Sequence, residues 1–523
     1  MSKLPFFFIL LVAIYLRFQS FDFGMPYMLV PEESYYLLKI LYLTHHFLNP
    51  DTVAVPNFFL YLNSVFLFLF THTFDANLVF NALDVSSWNI YFPLRLLSVL
   101  FSIGSVIIVY LIGSIFSSAC GLFAGGFFAV SCISILYSKL FLPFSSMVFF
   151  SLLSVLFAML AVNTGKIRYL TLGAFSSVLS ASMYYIGAVS IVPVFFSYFL
   201  NKEFREKKPA RFYLLLFLIS FLILNPFFIF YIFSFLKNIF GSYVSNYHLH
   251  HQSSCFLYLI NFPLLSLGPV LWTCALFLPK YKKNCDETLL KILFSLPLFY
   301  FALVGFLHLT KSAYACLLIP YFCLAGGLVI SFLFEERKKD FVFLAVLVLA
   351  FYIPFKYAYK LNKLLVLSDT RVLASEWIKS NTSDVFKIAW DKNSLQLNWH
   401  DPYDKKELKN LADDKDEIKS RRKFPLTEKF LLRKDWFKIL KKKADYVVIN
   451  SIDSEAVLRS KSDSGEKKFY KKMLKLRPAV VFDPYLMEYG KKVRLFLDED
   501  LYLPVESLWF RERTGPVIKI YKL

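Results

Sequence analysis

Apolar residues run through the first two-thirds of the chain in long uncharged stretches: 96–138, 140–165, 169–201, 212–236, 238–279, 292–310, 312–334 and a shorter 341–355. Residues 4–16 open the chain in the same way, and 57–71 form a further apolar run. A helix needs about 20 apolar residues to cross the hydrocarbon core of a bilayer, so this pattern predicts membrane helices. Stretches 96–138 and 169–201 are long enough for two helices each, with breaks near Ser117–Gly121 and Met183–Gly187.

The pattern changes after residue 365. Val372-Leu373-Ala374-Ser375-Glu376-Trp377-Ile378 has helical spacing of apolar residues. Lys387-Ile388-Ala389-Trp390 and Asp445-Tyr446-Val447-Val448-Ile449 read as short buried strands, and Lys519-Ile520-Tyr521-Lys522-Leu523 alternates as an outer strand would. The lysine-rich stretch 405–443 reads as a solvated helix-and-loop region. The sequence therefore predicts a membrane-embedded domain over 1–365 and a soluble C-terminal α/β domain over 366–523.

Composition sharpens this division. Residues 1–365 hold 24 Lys/Arg and 13 Asp/Glu, whereas the much shorter 366–523 holds 34 and 25. A soluble core does not extend over 365 mostly apolar residues, so a soluble single-domain, disordered or fibrous chain is excluded. The net charge of +20 does not argue for nucleic acid, because the basic residues either flank apolar spans or mix with acids in the tail. With Lys3 in the cytoplasm and 57–71 lying in the interface, the cytoplasmic loops collect Lys166, Arg168, Lys202, Arg205, Lys207, Lys208, Arg211, Lys280, Lys282, Lys283, Lys291, Arg337, Lys338 and Lys339. The opposite side has only Arg17, Lys39, Arg95, Lys139, Lys237 and Lys311 in its short connections. The positive-inside rule then gives about eleven spans, with the tail outside the cytoplasm. The seven cysteines all precede residue 366 and show no metal-binding spacing, so they read as packing residues. The apolar N-terminus lacks a small-residue cleavage site and reads as the first membrane helix.

On this topology the outer side gathers the first loop 18–93, the turns near 138–143, 183–187 and 309–313, the loop 237–258 and the tail. Polar groups at membrane depth are costly and mark function, so chemistry is sought where these segments converge. Glu32 and Glu33 stand out as an adjacent pair, because between residues 1 and 74 only Asp22 and Asp51 join them as acids. A carboxylate there can act as a general base toward a hydroxyl or bind a metal ion. Equally, the pair can be stabilising acids at the start of a helix over 34–48. Tyr247-His248-Leu249-His250-His251 can supply metal ligands, but no third ligand is identifiable and a structural or interfacial role is the simpler reading.

Several segments carry a resemblance. Phe23-Gly24-Met25-Pro26-Tyr27 followed by Pro31-Glu32-Glu33 resembles the first-loop signature of the GT-C membrane glycosyltransferases. The nearest group is the bacterial relatives of dolichyl-phosphate-mannose–protein mannosyltransferase and of the lipid A aminoarabinose transferase. Leu48-Asn49-Pro50, Pro56-Asn57-Phe58, Arg95-Leu96-Leu97-Ser98, Tyr314…Pro320, Asp369-Thr370-Arg371 and Arg513-Thr514-Gly515-Pro516 resemble that family's further segments in order. The resemblance implies a polytopic GT-C-like membrane protein with interfacial helices in the first outer loop. It also implies inverting transfer from a polyprenyl-phosphate sugar to a protein, lipid or glycan acceptor at the outer face of the cell membrane. Glu32 would be the base and Glu33 the supporting acid or a metal ligand. Arg95, Lys139, Tyr184, His250, His251, Lys311 and Tyr314 would face donor phosphate or substrate, with a divalent metal as the one cofactor the family pattern admits.

The chain departs from the family at four places. Glu stands at 32 where the family has Asp, Phe144 falls where a second acid is expected, Met183 where a lysine is expected and Ala313 where an arginine is expected. These departures keep a second hypothesis open, a catalytically silent relative that binds lipid or glycan or acts as a scaffold. A third, a transporter, is opposed by the lack of charged residues inside the spans.

Overall fold

The computed structural model describes residues 4–25, 27, 29–45, 48–50, 52, 54–72, 88–233, 255–281, 285–305, 312–337, 340–382, 388–391, 394–395, 444–459, 465–486, 499 and 503–523. It divides into two compact units. One is built from Met1–Phe21, His46–His72 and Tyr91–Lys360, the other from Asp22–His45, Thr73–Ile90 and Leu361–Leu523. The segment that holds Glu32 and Glu33 is therefore part of the unit that contains the tail.

The chain is mostly helical. Its helices begin with α1 (Leu4–Phe18), α2 (Pro31–His45), α3 (Asn57–Thr71), α4 (Trp88–Phe116), α5 (Ser118–Ala129) and α6 (Cys132–Ser138). They continue with α7 (Phe144–Thr164), α8 (Ile167–Met183), α9 (Val192–Leu200), α10 (Lys202–Lys207), α11 (Ala210–Leu224), α12 (Cys255–Leu276) and α13 (Leu278–Tyr281). Next come α14 (Glu287–Gly305), α15 (Ile319–Arg337), α16 (Phe341–Val366), α17 (Thr370–Asn381), α18 (Ser451–Arg459) and α19 (Gly465–Met473). Short 3₁₀ turns at Tyr185–Ile191 and Ser312–Leu317 interrupt the series.

Among the described residues, five helical stretches are long and apolar enough to cross a membrane: Asn89–Phe116, Phe144–Thr164, Glu287–Val304, Ile319–Glu336 and Phe341–Asn381. Two bent pairs, α5 with α6 and Leu259–Pro269 with Thr273–Lys280, raise the number to seven if each is one span. The breaks expected at Ser117 and after Met183 are both present, with the Ser117 hydroxyl accepting the Cys120 N–H as a helix cap. Small residues bring α5 and α15 together. A Cβ added to Gly327 would lie 2.9 Å from both the nitrogen and the Cβ of Ala124, so only glycine admits this approach.

The second unit contains a four-stranded sheet in the order β1-β2-β4-β3, from Ile388–Trp390, Tyr446–Asn450, Ile518–Lys522 and Val480–Phe482. β1 and β2 are parallel, and β4 runs antiparallel to both β2 and β3. Successive side chains of a strand face opposite ways. Thus Tyr446 and Val448 pack with Ile518 and Ile520 against Ala374 and Ile378 of α17, while Val447 and Ile449 pack against Phe469, Tyr470 and Met473 of α19. The sheet is covered on both faces. The outer-strand expectation for 519–523 is corrected here: β4 lies inside the sheet between β2 and β3, because its polar positions are lysines whose neighbours Ile518, Ile520 and Tyr521 are all buried. The fourth strand, Val480–Phe482, is too short to leave a pattern in the sequence. The expected region 405–443 lies outside the described residues.

Candidate functional site

The first unit builds its polar features at helix breaks. α5 and α6 meet at a 59° bend across Val130 and Ser131. Such a bend exposes the carbonyls that end one helix and the N–H groups that start the next, and in an apolar setting each must find a partner. Arg17, fully buried in the last turn of α1, answers the first need. It donates to the Phe128 and Ala129 carbonyls (3.5 and 3.0 Å), to the Ser102 and Ser134 hydroxyls (2.8 and 3.2 Å), and to its own helix at Ala13 (3.2 Å). The Ser266 hydroxyl answers the second, accepting the Ile133 N–H at 3.1 Å and sharing a 2.9 Å bond with Ser131. Arg17, expected in a connection, lies in the last turn of α1 and caps a broken helix 111 residues away, as an arginine at the end of an apolar run can.

α6 leads into an aromatic cluster drawn from three breaks. Phe144, at the start of α7, lies edge-on to Tyr137, Tyr184 and Tyr314, with ring centroids 5.3, 5.2 and 6.5 Å away. Tyr184 occupies the extended residue between α8 and the following 3₁₀ turn, and Tyr314 sits in the Ser312–Leu317 turn. Their hydroxyls are 3.5 Å apart, Tyr300 donates to the Tyr314 carbonyl at 2.7 Å, and Tyr137 shares a 2.8 Å bond with Ser312. The turns near 138–143, 183–187 and 309–313 thus converge through their neighbours. Tyr137 and Phe144 also line a small recess of about 20 Å³ with Ser102, Ser105, Phe128, Ser134, Ser145, Val148 and Cys316. Two of these hydroxyls are the ones that hold Arg17.

The two predicted cations that the structure describes in this unit are both buried, and both grip the exit of α1. Lys139 donates to the Gln19 carbonyl. Arg95 donates to the Phe21 carbonyl at 3.2 Å and lies 5.7 Å from the Tyr91 ring. Cations are favoured at a helix C-terminus, where carbonyls lack intrahelical partners. Asn225, a residue the sequence did not single out, performs a similar task after α11. It accepts the Phe58 N–H at the start of α3 and donates to the Ser182 hydroxyl at 2.8 Å. His250, His251 and Lys311 lie outside the described residues.

In the second unit, α2 begins at Pro31, three residues earlier than expected, so Glu32 and Glu33 lie inside its first turn. Proline is suited to this position and acids there meet the positive end of the helix dipole. Glu33 is fully buried and Glu32 half-buried. A second polar cluster lies at the C-terminal ends of the parallel strands. Buried Asp391 accepts from the Tyr470 hydroxyl at 2.8 Å and the Asn450 N–H at 3.1 Å, and the Asn450 side chain donates to Asp453 at 2.7 Å. Burial pushes the Asp391 carboxyl well above the usual carboxylate range, the nearby Asp453 adds to this, and the two hydrogen bonds oppose it. Among the described residues no three His, Cys, Asp or Glu side chains converge as a metal centre requires.

No protein-family model and no curated relative matches this sequence. The fold does match solved structures. The Archaeoglobus fulgidus oligosaccharyltransferase AglB, in complex with an inhibitory peptide and a dolichol-phosphate, aligns with a TM-score of 0.50 at 13% identity, over 90% of this chain and 73% of that one. The same organism's enzyme in the apo form gives 0.52 at 12% identity, over 90% and 73%. ArnT from Cupriavidus metallidurans, bound to undecaprenyl phosphate, gives 0.51 at 13% identity, over 88% of this chain and 96% of that one. AglB and ArnT are both GT-C glycosyltransferases. The chain has the fold of that class.

Proposed function

We propose that the protein is an integral-membrane glycosyltransferase that moves a sugar from a polyprenyl-phosphate donor to an acceptor hydroxyl on a protein, lipid or glycan. The observation that carries this reading is the fold shared with AglB and with ArnT along nearly its whole length, together with the dolichol-phosphate and undecaprenyl phosphate those two proteins hold. Residues 1–365 form the membrane-embedded transferase domain, and 366–523 an α/β domain outside the cytoplasm. The eleven spans use α1, α8, α11 and the Tyr185–Leu200 stretch in addition to the seven longer candidates, with α3 left in the interface.

In an inverting transfer the acceptor oxygen attacks the anomeric carbon as the bond from that carbon to phosphate oxygen breaks. Glu32 takes the acceptor proton, and polyprenyl phosphate leaves. Half-burial suits Glu32 to this role, since a base needs access to its substrate. Buried Glu33 supports the turn. Arg95 and Lys139 set the exit of α1. The rings of Phe144, Tyr184 and Tyr314 offer a sugar-stacking surface of the kind aromatic side chains provide.

One observation favours a second reading. Phe144 stands where the family pattern calls for an acid and is packed among three tyrosines, with no carboxylate among those ring contacts. A chain that keeps the fold and lipid groove without turnover would bind lipid or glycan, or act as a scaffold. Transfer from labelled polyprenyl-phosphate sugars by reconstituted protein separates the two. Wild type is expected to transfer and Glu32→Gln to lose about 10²–10⁴-fold in kcat. Equal transfer by both would remove Glu32 from the mechanism, and binding without transfer by wild type would favour the silent relative.

A further inference from the structure

The second unit contains a contact between its first and last thirds that the proposed chemistry does not yet use. Asp369 is the N-cap of α17, accepting the Arg371 N–H at 2.9 Å. The two side chains then form a buried fork: Arg371 Nε donates to Asp369 Oδ1 at 2.8 Å and Nη2 to Oδ2 at 3.0 Å. This leaves the Nη1 edge, which donates to the Leu29 carbonyl at 2.7 Å, 342 residues away in sequence. About two turns along the same helix, Lys379 donates to the Tyr27 hydroxyl at 3.3 Å and lies 5.5 Å from its ring.

Leu29 is two residues before α2, and the next carbonyl, Val30, accepts the Glu33 N–H at 3.1 Å. The backbone that Arg371 grips is therefore continuous with the turn that presents Glu32 and Glu33. The grip is itself braced. Gly515 has φ +97°, and a Cβ there would fall 2.5 Å from Asp369 Oδ1 and 2.2 Å from Thr370 Oγ1. Only glycine lets the closing segment lie on the pair, where Thr370 bonds the Thr514 and Pro516 carbonyls at 3.1 and 2.7 Å.

We infer that Arg371, aimed by Asp369, is a positioning residue for the Glu32–Glu33 turn, and that the tail's part in the reaction is to fix where the base lies. The inference rests on the transferase reading for its catalytic consequence and on the contact alone for its structural one. Lysine at 371 would keep the charge beside Asp369, but its single ammonium lacks the planar fork that serves a carboxylate and a carbonyl together.

The test uses full-length Arg371→Lys and wild type in lipid nanodiscs. Amide exchange over residues 29–36 is expected to quicken about tenfold in the variant while residues 446–450 of β2 exchange as in wild type. Initial rates should show kcat falling about 10²-fold, the scale set by an ångström of misplacement, with the donor KM unchanged. Wild-type exchange at 29–36, or exchange that quickens equally in β2, would overturn the inference, as would a raised KM with an unchanged kcat. Tyr27→Phe, which removes only the Lys379 hydrogen bond, should quicken the same residues about threefold, and no change there also counts against it. If wild type transfers nothing, the transferase reading fails by itself and the exchange at 29–36 still decides the clamp.

Discussion

Of the four almost wholly buried arginines among the described residues, Arg17 and Arg371, one in each unit, are held in opposite ways. Arg17 has only neutral partners among the described residues: three backbone carbonyls and two serine hydroxyls. Arg371 has a carboxylate on two of its edges and a single carbonyl on the third. Arg17 therefore spreads its charge over a helix end, where partial negative charge already accumulates, and serves as a cap. Arg371 is neutralised first and directional second, and serves as a pointer. Burying an arginine tells little by itself. What its donors meet decides whether it closes a helix or aims a loop.

The comparison can be broken most severely at Asp369. Asp369→Ala leaves Arg371 buried without its counter-charge and removes the cap of α17. It is expected to destabilise the second unit by about 3–5 kcal/mol, read as a lowered unfolding midpoint of the tail strands. Arg17→Met removes the charge together with its own desolvation cost and leaves only neutral acceptors short of a donor. Its expected cost is smaller, about 2 kcal/mol, read from thermal unfolding in detergent. A cost equal to that of Asp369→Ala would mean that Arg17 also has a charged partner.

The smallest effect sharpens the contrast through pH. The folded-state value of Asp391 is raised, so the folded chain holds a proton there that the unfolded chain releases. This group's contribution is complete below the ordinary carboxylate value of about 4 and is lost as pH rises toward the folded value. Asp453 is the acid that faces it, with the Tyr470 hydroxyl and Asn450 as its other polar neighbours. Exchange of the β2 amides should quicken between pH 4 and pH 7, after correction for intrinsic rates, and Asp391→Asn should flatten that slope. An unchanged slope in the variant would assign it elsewhere.

Local features of this architecture were legible in the sequence, and long-range ones were not. The breaks at Ser117 and after Met183 follow from small residues inside runs too long for one helix, and both are present. The unbroken apolar run Tyr446-Val447-Val448-Ile449 foretold a buried strand, and β2 is buried throughout. The alternation in 519–523 misled, because lysines on an inner strand look the same in sequence as lysines on an edge. The aromatic meeting of Phe144, Tyr184 and Tyr314 was partly legible, since the turns that carry them were expected to converge. The company that Glu32 and Glu33 keep was not. Nothing periodic connects Leu29 to Arg371, and a hydrogen bond to a backbone carbonyl places no demand on the residue type that supplies it.

The inner position of β4 has a consequence for the order of events during synthesis. The sheet beneath α17 lacks a central strand until residues 518–522 have been made, almost 500 residues after the loop that α17 grips. At about 5–20 residues per second, the acid-bearing turn waits roughly half a minute to a minute and a half for the support that completes it. The apolar helices of the first unit are thus all made before the sheet that supports the acid-bearing turn is complete.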